Sequence, residues 1–388
     1  MNKVLIQSLK EKFEGHFGQT PRLFRSPGRV NIIGEHTDYN GGFVLPAAVD
    51  KAIYVGITPR DDEQIVLYSE EFNEEHKAEV ATVAPTDKHW PNYVLGVVDQ
   101  LNKRGYKIKG FNLNLDGDVP VGAGLSSSAA VECATAFALN EVFGLGIDKK
   151  ELAEIGQKTE HVFAGVMVGI MDPFASVMGK KGHAIKLDCR SLQYEYVPLK
   201  MEGYKLLLLN TNVKHSLASS EYNTRRKECA EGVKMITDAG IKAESLRDVT
   251  MEMLDKHVKP KSEIVYRRCK FVVQENSRLL SACEALQRGD LKTLGEKMYG
   301  SHNGLSKEYE VSCKELDFLV DAVRDNDDIL GARMMGGGFG GCTINIVKQD
   351  AIDGLIADLQ PKYKAAMDLE LTAYVAVIED GSSEVLAM

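Results

Sequence analysis

The sequence predicts a chain of mixed α and β structure in two or three domains, and three observations carry that reading. It has 388 residues, 44% hydrophobic and 27% charged, ordinary globular proportions in a chain long enough for more than one core. Short β-type runs and helical stretches interleave up to about residue 205, after which the pattern is nearly all helical over 219–324. The tail then returns to mixed structure. The composition shift near residue 205 sets the expected boundary between domains 1–205 and 206–388.

Composition narrows the function classes. Lys and Arg number 47 against 56 Asp and Glu, a net charge of −9, so the basic footprint of a nucleic-acid binder is missing. Seven cysteines are scattered singly with no Cys-x-x-Cys pair, which argues for a reduced, cytoplasmic protein without a zinc site or disulfide framework. No apolar run reaches membrane-spanning length, and the N-terminus lacks a signal peptide's uninterrupted apolar core. Neither nucleic acid nor membrane is expected as a partner.

In chain order, Leu5, Leu9, Phe13 and Phe17 stand four apart, a helix over 3–17 ended by Gly18 and Pro21. The stretch 25–42 begins as a strand and becomes a polar loop holding Glu35, His36, Asp38 and Asn40. Such a cluster suits a polyhydroxylated ligand, and equally a solvated turn. One histidine beside two acids, without His-x-x-x-His spacing, is weak evidence for a metal. Strands at 53–58 and 65–68 follow, then a helix opened by Trp90 with Tyr93, Val94, Val97, Val98 and Leu101 on one face. Phe111, Leu113 and Leu115 alternate with Asn112 and Asn114, the period of a strand with one buried face.

Next comes the stretch around which the chain is organised, Pro120-Val121-Gly122-Ala123-Gly124-Leu125-Ser126-Ser127-Ser128-Ala129-Ala130, before an Ala-rich helix over 129–143. Glycines let the backbone approach a ligand closely, and the free N–H groups of a first helical turn attract anions. Serine can cap that helix, or reach a phosphate or metal ion. The reading is a phosphate-binding loop; the alternative is a tight turn with a serine cap. It is not the P-loop form, because no lysine follows Gly124, nor the dinucleotide form, because serines replace its third glycine.

A helix over 149–164 carries Glu160. The mostly apolar segment 165–173 then holds one carboxylate, Asp172, which Pro173 is expected to push out of helical geometry. A carboxylate in apolar surroundings is a candidate general base, with a helix N-cap as the alternative. Strands at 184–187, 194–197 and 206–209 lead into the helical region, which includes 263–287. Five glycines then stand among residues 336–341, followed by a strand over 343–347, a helix over 351–365 and a strand over 371–377. So many glycines cost entropy and imply a ligand or tight packing, beside the plainer reading of a hairpin-like loop.

The stretches 29–38, 120–130 and 336–341 resemble motifs of the family that contains galactokinase, homoserine kinase, mevalonate kinase and phosphomevalonate kinase. Within it the likeness is to the galactokinase branch. It is carried by Gly28-Arg29-Val30-Asn31-Ile32-Ile33-Gly34-Glu35-His36-Thr37-Asp38-Tyr39, Phe163-Ala164-Gly165, Gly169-Ile170-Met171-Asp172 and Ser219-Ser220-Glu221-Tyr222. Ser301-His302 followed by Tyr309-Glu310-Val311-Ser312-Cys313 extends it almost to the end of the chain. The resemblance implies two α+β domains with the active site between them: an N-terminal mixed-sheet domain with the serine loop, and a C-terminal ferredoxin-like domain bearing the 336–341 loop. It also implies magnesium- and ATP-dependent phosphorylation of the anomeric hydroxyl of α-D-galactose; a monomer is expected.

The same resemblance assigns roles to residues. Gly122, Ala123, Gly124, Leu125, Ser126, Ser127 and Ser128 would cradle the phosphates, and Ser128 with Glu160 would hold magnesium. Asp172 would accept the sugar hydroxyl's proton, with Arg29 keeping it ionised and stabilising the transition state. Glu35, His36, Thr37, Asp38, Gly169 and Tyr222 would contact the sugar, and Ser69 and Trp90 the nucleotide. Two departures stand out: Pro173 where the family usually has glutamine, and Val168 where a small or polar residue is common. The other readings are a kinase for a related sugar such as N-acetylgalactosamine, and a non-catalytic galactose- and ATP-binding regulator. The intact serine loop, Asp172 and Arg29 argue for turnover.

Overall fold

The computed structural model describes residues 1–120, 122–213 and 218–386; Val121 of the serine loop and the side chain of Ser219 lie outside what it describes. Six strands form the first sheet, in spatial order Ser383–Glu384, Arg22–Asn31, Pro46–Pro59, Phe111–Gly117, Gln64–Ser69 and Glu74–Glu79. Its pairs are antiparallel except that of Gln64–Ser69 with Phe111–Gly117, which is parallel, so the sheet is mixed as expected. The helices His89–Lys103 and Ser127–Phe143 share its main hydrophobic core, to which Phe111, Leu113 and Leu115 contribute.

The single buried face expected for Phe111–Gly117 is corrected. Asn112 and Asn114 are buried too, because the helix Lys3–Phe17 covers the opposite face. Asn114 donates to Glu70 there and Asn112 accepts from Arg60, while Asn114 Oδ1 is buried without a hydrogen-bond partner. A buried amide is tolerated when it is paired in this way.

A second sheet joins Phe43–Val44, His183–Asp188 and Tyr194–Pro198. The third is antiparallel and has four strands, Tyr204–Asn210, Ile329–Met334, Cys342–Lys348 and Thr372–Ala376. Across that sheet they run fourth, first, third, second, with helices between the first two and the last two, which is the ferredoxin-like βαββαβ arrangement. The end of the chain crosses back: Ser383–Glu384 pairs with the edge of the first sheet, and Arg22 donates twice to Glu384 at 2.8 and 3.0 Å.

Two local expectations are corrected. The helix read over 149–164 is α-helical only to Thr159, and Glu160–Ala164 forms a π-turn, a device common at functional sites. Asp172 is not outside helical geometry: it sits in the first turn of the helix Met171–Met178, with Ile170 as N-cap. Pro173 is tolerated there because a first-turn N–H has no intrahelical partner to lose.

Candidate active site

A cleft of about 180 Å³ lies where the first sheet, the loop before Met171–Met178, the helix Ala218–Thr237 and the glycine loop meet. Arg29 enters it from strand Arg22–Asn31, where the pairing register shifts between Pro27 and Arg29. Gly28 is needed at that irregularity, since a Cβ there would lie 2.6 Å from the Leu125 carbonyl oxygen. The Arg29 backbone N–H donates to that same carbonyl at 3.0 Å, locking the strand onto the serine loop.

The Arg29 guanidinium grips Asp172 with both arms, Nε to Oδ1 at 2.8 Å and Nη2 to Oδ2 at 3.0 Å. Its Nη1 donates to the Gly124 carbonyl at 2.5 Å. Burial alone would lower the pKa of Arg29, but Asp172, Glu35 and Asp38 more than offset this and raise it. Ser126 adds a third bond to Asp172, Oγ to Oδ2 at 2.5 Å. A carboxylate offers about four lone-pair sites, so one is left for an incoming hydroxyl. The alternative of a serine side-chain cap is not what forms: Ser126 stands at the N-cap of Ser127–Phe143 in left-handed geometry (φ 58°), and its hydroxyl serves Asp172 instead.

The sugar-side loop is held residue by residue. Glu35 is buried, and its Oε1 accepts from Gly336 N–H at 2.8 Å and from Arg333 at 3.0 Å. His36 has Nε2 against the Gly337 carbonyl at 3.2 Å and Nδ1 against the Tyr39 hydroxyl at 2.8 Å. A carbonyl only accepts, so Nε2 carries the proton and Nδ1 accepts. Burial pushes this imidazole down to about 4, so it is neutral at physiological pH. Asp38 is pushed up to about 6, chiefly by burial and then by the nearby Asp172 charge. Gly169 leaves room for it, since a Cβ there would fall 1.7 Å from Asp38 Oδ2. Glu35, His36, Asp38, Gly169 and Tyr222 all line the cleft with Arg29, Asp172 and Val168. Thr37 does not: its buried hydroxyl lies against the carbonyls of Gly34 and Phe43 and shapes the loop.

A second cavity of about 320 Å³ opens beside the serine loop, lined by Phe72, Trp90, Tyr93, Leu115, Val119, Ser127 and Ser128 among others. Its aromatic wall suits a flat heterocycle. Trp90 is fixed there by a 2.8 Å bond from its indole N–H to Glu74. Ser69 is buried outside that lining, where its hydroxyl accepts the Phe72 N–H at 3.4 Å. Ser127 and Ser128 line this cavity, while the sugar-side cleft reaches the same loop through the bonds of Arg29 to Gly124 and of Ser126 to Asp172.

The residues beneath the loop fit a hard cation. Ser128 hydrogen-bonds the Glu160 carboxylate, and burial pushes Glu160 up to about 7. Glu132, one turn beyond Ser128, is held well above the usual carboxylate range by burial and by Glu160. Its buried Oε1 has no hydrogen-bond partner. Oxygen donors crowded together with an orphaned carboxylate oxygen are the chemistry magnesium accepts. Among the described residues no three His, Cys, Asp or Glu side chains converge as a metal cage.

Sequence reasoning missed Ser126 as a partner of Asp172, and missed Glu132, Phe72 and Arg333 altogether. Only Glu132 had a signal, its spacing of four from Ser128 on one helix. In the glycine loop packing demands glycine at 338, where φ is +89° and a Cβ would meet the Val311 carbonyl oxygen at 2.1 Å, whereas at 336 and 341 it is the positive φ (+87° and +77°) that favours glycine.

Three family models match the chain: the galactokinase galactose-binding signature over residues 11–59, the GHMP kinases N terminal domain over 92–180, and the GHMP kinases C terminal over 282–365. Fold, serine loop and matched halves define a small-molecule kinase of the GHMP class. Galactokinase of Thermotoga maritima is 44% identical over 93% of this chain and 99% of its own length. Galactokinase of Fusobacterium nucleatum subsp. nucleatum is 41% identical over 99% of this chain and 100% of its own. The crystal structure of Lactococcus lactis galactokinase complexed with galactose matches with a TM-score of 0.95 at 37% identity, covering 98% of this chain and 100% of that one. The chain belongs to the galactokinase family. Mevalonate kinase of Methanococcus jannaschii, at 19% identity and a TM-score of 0.64 over 93% of this chain and 99% of that one, shares the fold.

Proposed function

We propose that the chain transfers the terminal phosphoryl group of ATP to the anomeric hydroxyl of α-D-galactose, through the residues assembled in the cleft. The observation that carries this reading is the Arg29–Asp172 pair, which lines the sugar-sized cleft and is bonded to Gly124 and Ser126 of the serine loop. Asp172 takes the hydroxyl proton at its free lone pair and later returns it to water. The anomeric oxygen forms a bond to the terminal phosphorus as the bond from that phosphorus to ADP breaks. Arg29 holds the Asp172 carboxylate with both arms and offsets charge as it develops.

Glu35, Asp38 and the Gly169 backbone orient the sugar, with His36 and Tyr222 as walls. Both His36 nitrogens are occupied, so that ring contributes shape more than hydrogen bonds. Gly122 to Ser128 hold the phosphates, and Trp90 with Phe72 and Tyr93 holds the base. Ser128 and Glu160 would hold magnesium, which when bound screens phosphate charge. The unpaired cysteines support a reducing compartment, hence the cytoplasm.

The test is ADP release with ATP, magnesium and a panel of hexoses that includes N-acetylgalactosamine. Turnover with galactose above the other sugars is expected. Background ADP release with galactose sinks the reading, and preferential turnover of N-acetylgalactosamine moves it to the related kinase.

A further inference from the structure

Arg333 lies on Ile329–Met334 in the ferredoxin-like sheet and is completely buried. Its guanidinium reaches out of that sheet into the sugar-side loop of the first. Nε donates to the Ile32 carbonyl at 2.8 Å and Nη1 to the Met334 carbonyl at 2.6 Å. Nη2 donates to the Asn31 carbonyl and, at 3.0 Å, to Glu35 Oε1. That same Oε1 accepts the Gly336 N–H at 2.8 Å, three residues along the chain from Arg333. Among the described residues no hydrogen bond is recorded at Glu35 Oε2, and Glu35 lines the sugar cleft.

We propose that Arg333 is the positioning residue for galactose: it tethers one oxygen of Glu35 so that the other is presented to a sugar hydroxyl. The proposal rests on the reading of Glu35 as a sugar contact. A buried ion pair is a poor way to gain stability, because desolvation offsets its Coulomb energy and apolar residues of similar size often do as well. A planar fork, by contrast, fixes a carboxylate's orientation as no apolar group can. The arrangement also joins the two halves of the site, since Arg333 and Gly336 belong to the strand and loop that close the cleft from the other sheet. Lysine could keep the charge but not the fork.

The experiment is calorimetric titration of galactose, and separately of a non-hydrolysable ATP analogue, into the parent, Arg333→Lys, Glu35→Gln and Glu35→Gln/Arg333→Met proteins. Arg333→Lys should raise the galactose dissociation constant about ten- to a hundredfold and change that of the nucleotide by less than about threefold. A folded Arg333→Lys protein that binds galactose within about threefold of the parent overturns the proposal, as does equal weakening of both ligands, the mark of a general structural role. The double variant keeps the test intact if the single one does not fold, because it leaves no unpaired buried charge. It should bind galactose like Glu35→Gln alone; a further tenfold loss would mean that Arg333 does not act through Glu35, and overturns the proposal. Unchanged galactose affinity in Glu35→Gln separates the two claims, since it removes Glu35 from the sugar site and the proposal with it.

Discussion

Asp172 is the residue on which catalysis and binding separate most cleanly. Asp172→Asn keeps the size and can still bond Arg29 weakly, but it cannot take a proton. Turnover should fall by about a hundred- to ten-thousand-fold while calorimetric galactose affinity stays near that of the parent. Near-normal kcat in a folded variant would remove Asp172 from the chemistry. Asp38 gives a second, pH-dependent expectation. Its folded pKa, about 6, lies above the ordinary 3.8, so the folded protein binds its proton more tightly than the unfolded chain does. Ionising it therefore costs stability above pH 6, and the cost disappears as pH falls below 3.8. Asp38→Asn should stabilise the protein at pH 7.5 by about 1–2 kcal/mol, a figure reduced for its partial exposure, and the gain should vanish near pH 3.5 in urea titrations. In the parent, KM for galactose should rise as pH drops through about 6, since the protonated acid is a poorer acceptor.

At the scale of elements, the loop preceding Ser127–Phe143 was legible because its chemistry is local. Glycine spacing, a serine cluster and an Ala-rich run sit within one short stretch, and the structure gives them a strand, a turn and a helix in that order. Its Gly124 has φ +73°, and the nearest atom to an added Cβ is the Met335 carbonyl oxygen at a tolerable 3.5 Å. Gly124→Val is therefore strained by backbone angle more than by crowding. A left-handed L-residue costs about 1–2 kcal/mol, so nucleotide affinity should weaken roughly tenfold or more. An unchanged affinity for an ATP analogue would show that the loop does not hold phosphate. The π-turn at Glu160–Ala164 was not legible, because a periodic apolar pattern reads the same through one inserted residue. It sets Glu160 beside Ser128, and Glu160→Gln should raise the magnesium concentration needed for half-maximal turnover, with saturating magnesium restoring part of kcat. A loss indifferent to magnesium would assign Glu160 to structure. Likewise Ser126 and Arg333 act through partners distant in sequence, which residue spacing does not report.

At the scale of the whole molecule, the sugar-side loop belongs to the first sheet by sequence but is fastened by the helices beyond residue 205. Glu275, fully buried on Glu263–Gln287, accepts the Gly34 N–H at 3.1 Å and the Ser301 hydroxyl at 2.6 Å, and pairs with Arg278 at 2.7 Å. Asn276 beside it accepts the Phe43 N–H at 2.9 Å, and a Cβ on Gly42 would lie 2.5 Å from its Oδ1. Sugar site and helical region are therefore mechanically one unit. Glu275→Ala tests this, because it leaves an arginine uncompensated and two donors unpaired at the joint. Removing one partner of a buried pair typically costs about 3–5 kcal/mol, so the urea midpoint should fall well below the parent's. If the damage is centred on the loop, galactose affinity should drop while affinity for an ATP analogue changes little. Galactose at a hundred times its dissociation constant should then restore about 2.7 kcal/mol, because binding draws the loop back into its folded arrangement. A Glu275→Ala protein that keeps the parent's midpoint and galactose affinity would mean that the loop holds its shape without the helices. The Arg333 tether, the Gly336 and Gly337 contacts of Glu35 and His36, and the Thr37 bonds would then hold it.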